Sequence, residues 1–112
     1  MKQYIKLRTS PGWDNLIAEY SEKIEALGAI NYQVNEKYGY LDFYSIQYAP
    51  DADAVEIQRL IEEVNLISET ICQGCGKPGH EVEHNSWIRT YCDDCFANWR
   101  EGQAILTKSS QY

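Results

Sequence analysis

At 112 residues the chain has the size of a single domain, and 44% apolar with 24% charged residues exclude an intrinsically disordered polymer. Ten basic against 17 acidic side chains give a net charge of −7, which opposes long-range attraction to nucleic-acid backbones and anionic membranes. No apolar run is long enough for a transmembrane helix, and Met1 to Lys6 lacks the apolar stretch of a signal peptide, so a cytoplasmic, soluble protein is expected.

The charge is uneven. Residues 1–13 hold three bases and no acid, residues 14–69 hold 12 acids and three bases, and residues 70–112 hold five acids and four bases. The acidity therefore belongs to the middle of the chain.

Taken in order, Ile5 to Leu7 suggests a short edge strand. Residues 13–27 read as an amphipathic helix, with Trp13, Leu16, Ile17, Tyr20, Ile24 and Leu27 on one stripe and Glu19, Glu22 and Glu25 facing away. Ser10-Pro11 supplies an N-cap and a proline at the first helical position, and Gly28 a stop. A β-hairpin follows. Ile30, Tyr32 and Val34 share a face of its first strand. After the turn Glu36-Lys37-Tyr38-Gly39, the second strand from Tyr40 to Tyr48 places Leu41 and Phe43 on one side, and Tyr40, Tyr44, Ile46 and Tyr48 on the other. Pro50-Asp51 opens a second helix, to about Glu69, whose stripe is Ile57, Leu60, Ile61, Val64, Ile67 and Ile71, with Val55 and Leu66 off it.

All four cysteines then appear as two C-x-x-C pairs, Cys72/Cys75 and Cys92/Cys95, separated by 16 residues. That is the spacing of a four-thiolate zinc site, because two tight turns each aim two sulfurs at one point and together complete a tetrahedron. Disulfides are the competing reading, and a reducing compartment disfavours them. Zinc is preferred to iron for such a ligand set. Glu81 to His84 and Trp87 to Tyr91 can pair across Asn85-Ser86, and Phe96 to Arg100 continue as a short helix from Cys95. A turn, a hairpin and a helix resemble a treble clef; a zinc ribbon would place a strand after Cys95. The expected fold is thus α+β: residues 1–70 an acidic helix, β-hairpin and helix region, 71–106 a four-cysteine zinc module packed on it, and 107–112 a frayed tail.

Nothing in the sequence argues for catalysis. Four cysteine ligands leave a zinc ion no open position for a substrate or water. His80-Glu81-Val82-Glu83-His84 spells the H-E-x-x-H of metalloproteases, but that motif works on a helix, and here it sits in a spacer that has room only for a hairpin. His84-Asn85 suggests a nuclease hairpin, yet no histidine follows on the next helix. No nucleophile elbow, phosphate loop or dinucleotide fingerprint is present.

Two kinds of partner remain. Nine tyrosines and three tryptophans favour protein contacts, and Glu36, Tyr38, Tyr40, Asp42 and Tyr44 along the hairpin form an acidic, tyrosine-rich surface for a basic protein. The plainer reading is that these tyrosines build a two-sided hairpin. The alternative partner is nucleic acid held by Lys77, Arg89 and Arg100 among the aromatics Trp87, Tyr91 and Trp99, although both tryptophans are expected in the small module's core.

The order Gly12-Trp13, Leu16-Ile17, Val34-x-Glu36-Lys37-Tyr38-Gly39-x-Leu41-x-Phe43-Tyr44, Ser68, Cys72-x-x-Cys75-Gly76-x-Pro78-Gly79 and Trp87-x-Arg89-Thr90-x-Cys92-Asp93-x-Cys95 resembles a group of small, mostly uncharacterised proteins of bacteria, phages and prophages. The resemblance spans residues 12–97. It implies a phage or prophage origin and a role such as inhibition of a host defence complex, an anti-CRISPR for example. Relatives often carry a basic residue before the hairpin phenylalanine; here Asp42 stands there, which favours a basic partner over an anionic ligand.

Overall fold

The computed structural model describes residues 5–109, and side chains as far as Gly102. A single 3-10 turn, Pro11–Trp13, leads into helix α1 (Asp14–Ala26). Strands β1 (Ala29–Lys37) and β2 (Tyr40–Tyr48) form an antiparallel hairpin, followed by helix α2 (Ala54–Ser68). A second antiparallel hairpin, β3 (His80–His84) and β4 (Trp87–Tyr91), precedes helix α3 (Asp93–Ser109). The fold is α+β, with two separate two-stranded sheets among the described residues.

The main core lies where α1, α2 and one face of the first hairpin meet. Trp13 from the 3-10 turn, Ile17 and Ile24 from α1, Ile57 and Val64 from α2, and Leu41 and Phe43 from β2 are all buried there. Val55 and Leu66 are off the α2 stripe and exposed. Gly28 ends α1 at φ +110°, and a Cβ there would lie 2.6 Å from Ala52 Cα, so both the backbone angle and the close approach of the α2 entry require glycine.

Several sequence expectations are corrected. Residues 5–7 form no strand; only Leu7 packs against the core. Ser10 does not cap with its side chain, because its hydroxyl is occupied by Gln73. Helix α2 begins at Ala54, and Asp53 is its cap, with its carboxylate accepting from Glu56 N–H at 3.1 Å. The first hairpin does not alternate throughout. Its register slips around Ile30 in β1 and again across from Asn31 to Gln33, where Ser45 has φ +54°. Each slip inverts the in-out phase, so Ile30 is exposed while Ala29 is buried, and Ile46 returns to the core side. Helix α3 runs to Ser109, beyond the short helix expected and into the stretch read as a tail; residues 110–112 lie outside the described residues.

Candidate metal centre

The two C-x-x-C pairs are delivered by different elements. Cys72 and Cys75 sit in a loop closed by Cys72 N–H to the Lys77 carbonyl at 2.7 Å and Gly76 N–H to the Cys72 carbonyl at 2.9 Å. Cys92 follows β4, and Cys95 lies in the first turn of α3, where Phe96 N–H donates to the Cys92 carbonyl at 2.9 Å. The element after the second pair is therefore a helix, not a strand. Close packing forces glycine at Gly79, where a Cβ would come within 2.8 Å of both the nitrogen and the Cα of Cys72.

All four sulfurs converge within 4.8 Å of one another, with Cys75 Sγ 3.7 Å from Cys92 Sγ and no disulfide among them. Bonds of about 2.3 Å to a central ion place tetrahedral thiolates roughly 3.8 Å apart, so this separation matches metal ligation and not a sulfur–sulfur bond. Burial pushes the Cys72 thiol up, but backbone N–H groups of Cys92, Cys75 and Gly74 face it and bring it down to about 7. Cys95 moves the other way, raised by burial and by the neighbouring sulfurs Cys72, Cys92 and Cys75. Adjacent thiols compete for negative charge, and a bound cation removes that competition. These four residues could hold a metal ion, the one such group among the described residues.

Little else is buried around the cluster. Cys72, Val82 and Tyr91 are its buried members, with Phe96 and Trp99 packed against them. What fixes the module is its seam with the helical half. Gly12 N–H donates to the Gln73 carbonyl and Gln73 N–H to the Thr90 carbonyl, both at 2.8 Å. The fully buried Gln73 side chain accepts from Thr90 N–H at 2.8 Å and donates to Ser10 Oγ at 3.0 Å. Trp13 Nε1 donates to the Ile71 carbonyl at 2.9 Å, Leu41 N–H to Ser68 Oγ at 2.8 Å, and Thr90 Oγ1 to the Gly39 carbonyl at 2.6 Å. Gly12 touches the cysteine loop so closely that a Cβ would sit 2.2 Å from the Cys72 carbonyl oxygen. Gln73 carried no sequence signal beyond its place inside a C-x-x-C. Gly12-Trp13, Gly39, Ser68 and Thr90 did, as members of the ordered motif; Gly12, Trp13, Gly39 and Thr90 lie in this seam, and Ser68 ties α2 to β2 beside it.

The residues read as a partner surface divide. Tyr40, Asp42 and Tyr44 share the outer face of the first hairpin, opposite the buried Leu41 and Phe43, and Tyr38 stands exposed at its tip. Glu36 belongs instead to the seam. Its side chain is only 14% exposed, it lies 3.9 Å from Arg89, and it accepts from Gln73 Nε2 at 3.5 Å. The alternative nucleic-acid set divides as well: Arg89 is occupied by Glu36 and packs over the Trp99 ring at 5.3 Å, Arg100 lies over Phe96 at 4.7 Å, and Lys77 is exposed on the cysteine loop. Of the two tryptophans expected in the core, Trp99 is packed, but Trp87 is 61% exposed.

The H-E-x-x-H sequence occupies β3, so its two histidines stand about 13 Å apart along an extended strand and do not converge. His80 faces Asp93 at 3.6 Å and His84 meets the edge of Trp99.

Comparison of the chain with protein-family models, with curated proteins and with solved structures finds no match.

Proposed function

We propose that this chain is a non-catalytic protein of phage or prophage origin, built on a treble-clef-like structural zinc module, that docks on and inhibits a basic host protein. The observation that carries the zinc assignment is the convergence of four free thiols within 4.8 Å, delivered by a tight loop and the first turn of a helix. A zinc ion held by Cys72, Cys75, Cys92 and Cys95 has no vacant position for a water or substrate, which supports a structural role. The docking reading rests on the tyrosine-bearing outer face of the first hairpin, with Tyr40, Asp42 and Tyr44 on one side of the sheet, and on the chain's net charge of −7. Phage origin and host inhibition rest on the ordered motif from Gly12 to Cys95 and on small acidic size. Nucleic-acid binding is disfavoured because the Arg89 side chain is only 16% exposed and lies 3.9 Å from Glu36.

Metal analysis of the purified protein is expected to return one zinc per chain with all four thiols protected; iron, or two disulfides without metal, would overturn the zinc assignment. Affinity capture from a bacterial lysate with nuclease present is expected to retain a basic protein stoichiometrically, and Asp42→Lys is expected to lose it. Recovery of nucleic acid, or of proteins released by nuclease, would overturn the docking reading.

A further inference from the structure

The two most exposed aromatic side chains among the described residues serve neither core. Tyr38 is 69% and Trp87 61% exposed, and they stand at the tips of the two hairpins. Both tips are tight turns with left-handed backbone: Tyr38 and Gly39 at φ +50° and +84°, Asn85 and Ser86 at +52° and +69°. The first tip is pinned against β4, since the Gly39 carbonyl accepts from Thr90 and a Cβ on Gly39 would lie 3.0 Å from the Arg89 carbonyl carbon. Between the tips lies a recess of about 460 Å³ lined by Tyr38, Trp87 and Ile88. A second recess of about 480 Å³, lined by Asp42 and Tyr44, shares Glu36 and Lys37 with the first. Together they make one track from the zinc module onto the outer face of the first hairpin.

We propose that this track binds an extended, arginine-bearing segment of a basic protein, with a guanidinium held between Tyr38 and Trp87 and the flanking chain laid toward Asp42. The inference rests on the docking reading above and names its site and chemistry. Charge selects the occupant. Glu36 already faces Arg89 at 3.9 Å, and Asp42 offsets the single free cation of the track, Lys37. Glu83, which pairs with Ile88 across β3 and β4 and shares its face, adds a carboxylate, and the chain as a whole carries −7. An anionic strand meets repulsion here, and a cationic segment meets attraction. Local chemistry agrees, because exposed aromatic faces attract guanidinium, and the fold itself packs Arg89 over Trp99 and Arg100 over Phe96.

The test is an NMR titration of the zinc-loaded chain with a hexa-arginine peptide at about 150 mM salt, where long-range attraction is screened. The Trp87 indole N–H and the Tyr38 and Ile88 amides are expected to shift together. Trp87→Ala and Tyr38→Ala are each expected to bind about tenfold more weakly, with Trp87→Phe recovering most of the loss and Glu62→Gln, on α2, unchanged. Retained metal content in each variant establishes that the fold is kept. Shifts spread over α1 and α2, equal affinity in Trp87→Ala, or a response of Trp87 to a ten-base oligothymidine and not to the peptide would each overturn the assignment. The two readings fail separately. If Asp42→Lys loses the captured host protein while Trp87→Ala keeps it, the track is wrong and docking stands; if no protein is captured, the docking reading itself falls.

Discussion

The two halves of this chain are held together by different physics. In the helical half, α1, α2 and the first hairpin bury a continuous set of large apolar side chains, including Trp13, Ile17, Ile24, Leu41, Phe43, Ile57 and Val64. In the cysteine half, the buried set is Cys72, Val82 and Tyr91. The first can be stabilised by apolar burial at about 25 cal/mol per Å². The second has too little apolar surface for that and depends on four converging thiols and on the polar seam through Gln73. The seam ties the metal loop to the start of α1, so loss of metal in one half is transmitted to the other.

Removing a ligand gives the largest effect. Cys72→Ser, or chelation of the wild-type protein, is expected to unfold residues 71–102, because structural zinc supplies on the order of 10 kcal/mol of folding free energy. Hydrogen exchange should show β3 and β4 unprotected, while α1 and α2 remain protected but destabilised. Equal protection of both halves without metal would erase the distinction between them. Leu41→Ala attacks the other half. It deletes a fully buried side chain beside the α helices and is expected to cost about 3 kcal/mol in denaturant unfolding while leaving metal stoichiometry unchanged. Gln73→Leu tests the seam. Thr90 N–H and Ser10 Oγ lose their buried partner, at a cost of about 2 kcal/mol, and the two halves should then unfold in separate transitions.

Much of this was legible in the sequence where periodicity or spacing speaks directly. The stripes of α1 and α2, the place of the second hairpin's turn at Asn85-Ser86 and the convergence of the four cysteines follow from helical period, strand alternation and the C-x-x-C spacing. The failures have local causes. The sequence groups Ile30 with Tyr32 and Val34 on one face, but one inserted residue in β1 inverts the alternation, and no residue type announces such a slip. Ser10 looked like a cap because serine before proline usually is one, but a residue 63 positions away claims its hydroxyl. Glu36 and Arg89 looked like surface charges, each for a different partner, until the fold paired them with each other. Trp87 leaves its expected place in the core because it stands at a hairpin tip, and Gln73, which carried no signal, is buried because the seam needs its hydrogen bonds.

The smallest effect probes an anchor confined to the helical half. Tyr20 on α1 donates its hydroxyl to Glu63 on α2, and Arg59 donates to the same carboxylate at 3.1 Å. Burial first, and the Glu63 carboxylate second, push the Tyr20 phenol up to about 12, while the Tyr20 hydroxyl first, then Arg59, hold the Glu63 carboxyl below its usual range. The signs are opposite and so are the pH windows. A phenol raised in the folded state contributes stability that is complete below about 10 and is lost as pH rises toward about 12. A carboxylate lowered in the folded state contributes stability at neutral pH that is lost on acidification through its folded value. Tyr20→Phe removes the first contribution and the largest single cause of the second, leaving Arg59 on Glu63. It is expected to cost about 1 kcal/mol at pH 7 and to flatten stability against pH above 10. The cysteine half should keep its metal and its exchange protection unchanged. If Tyr20→Phe lowered metal affinity instead, α1 and α2 would be coupled to the thiols by a route other than Gln73.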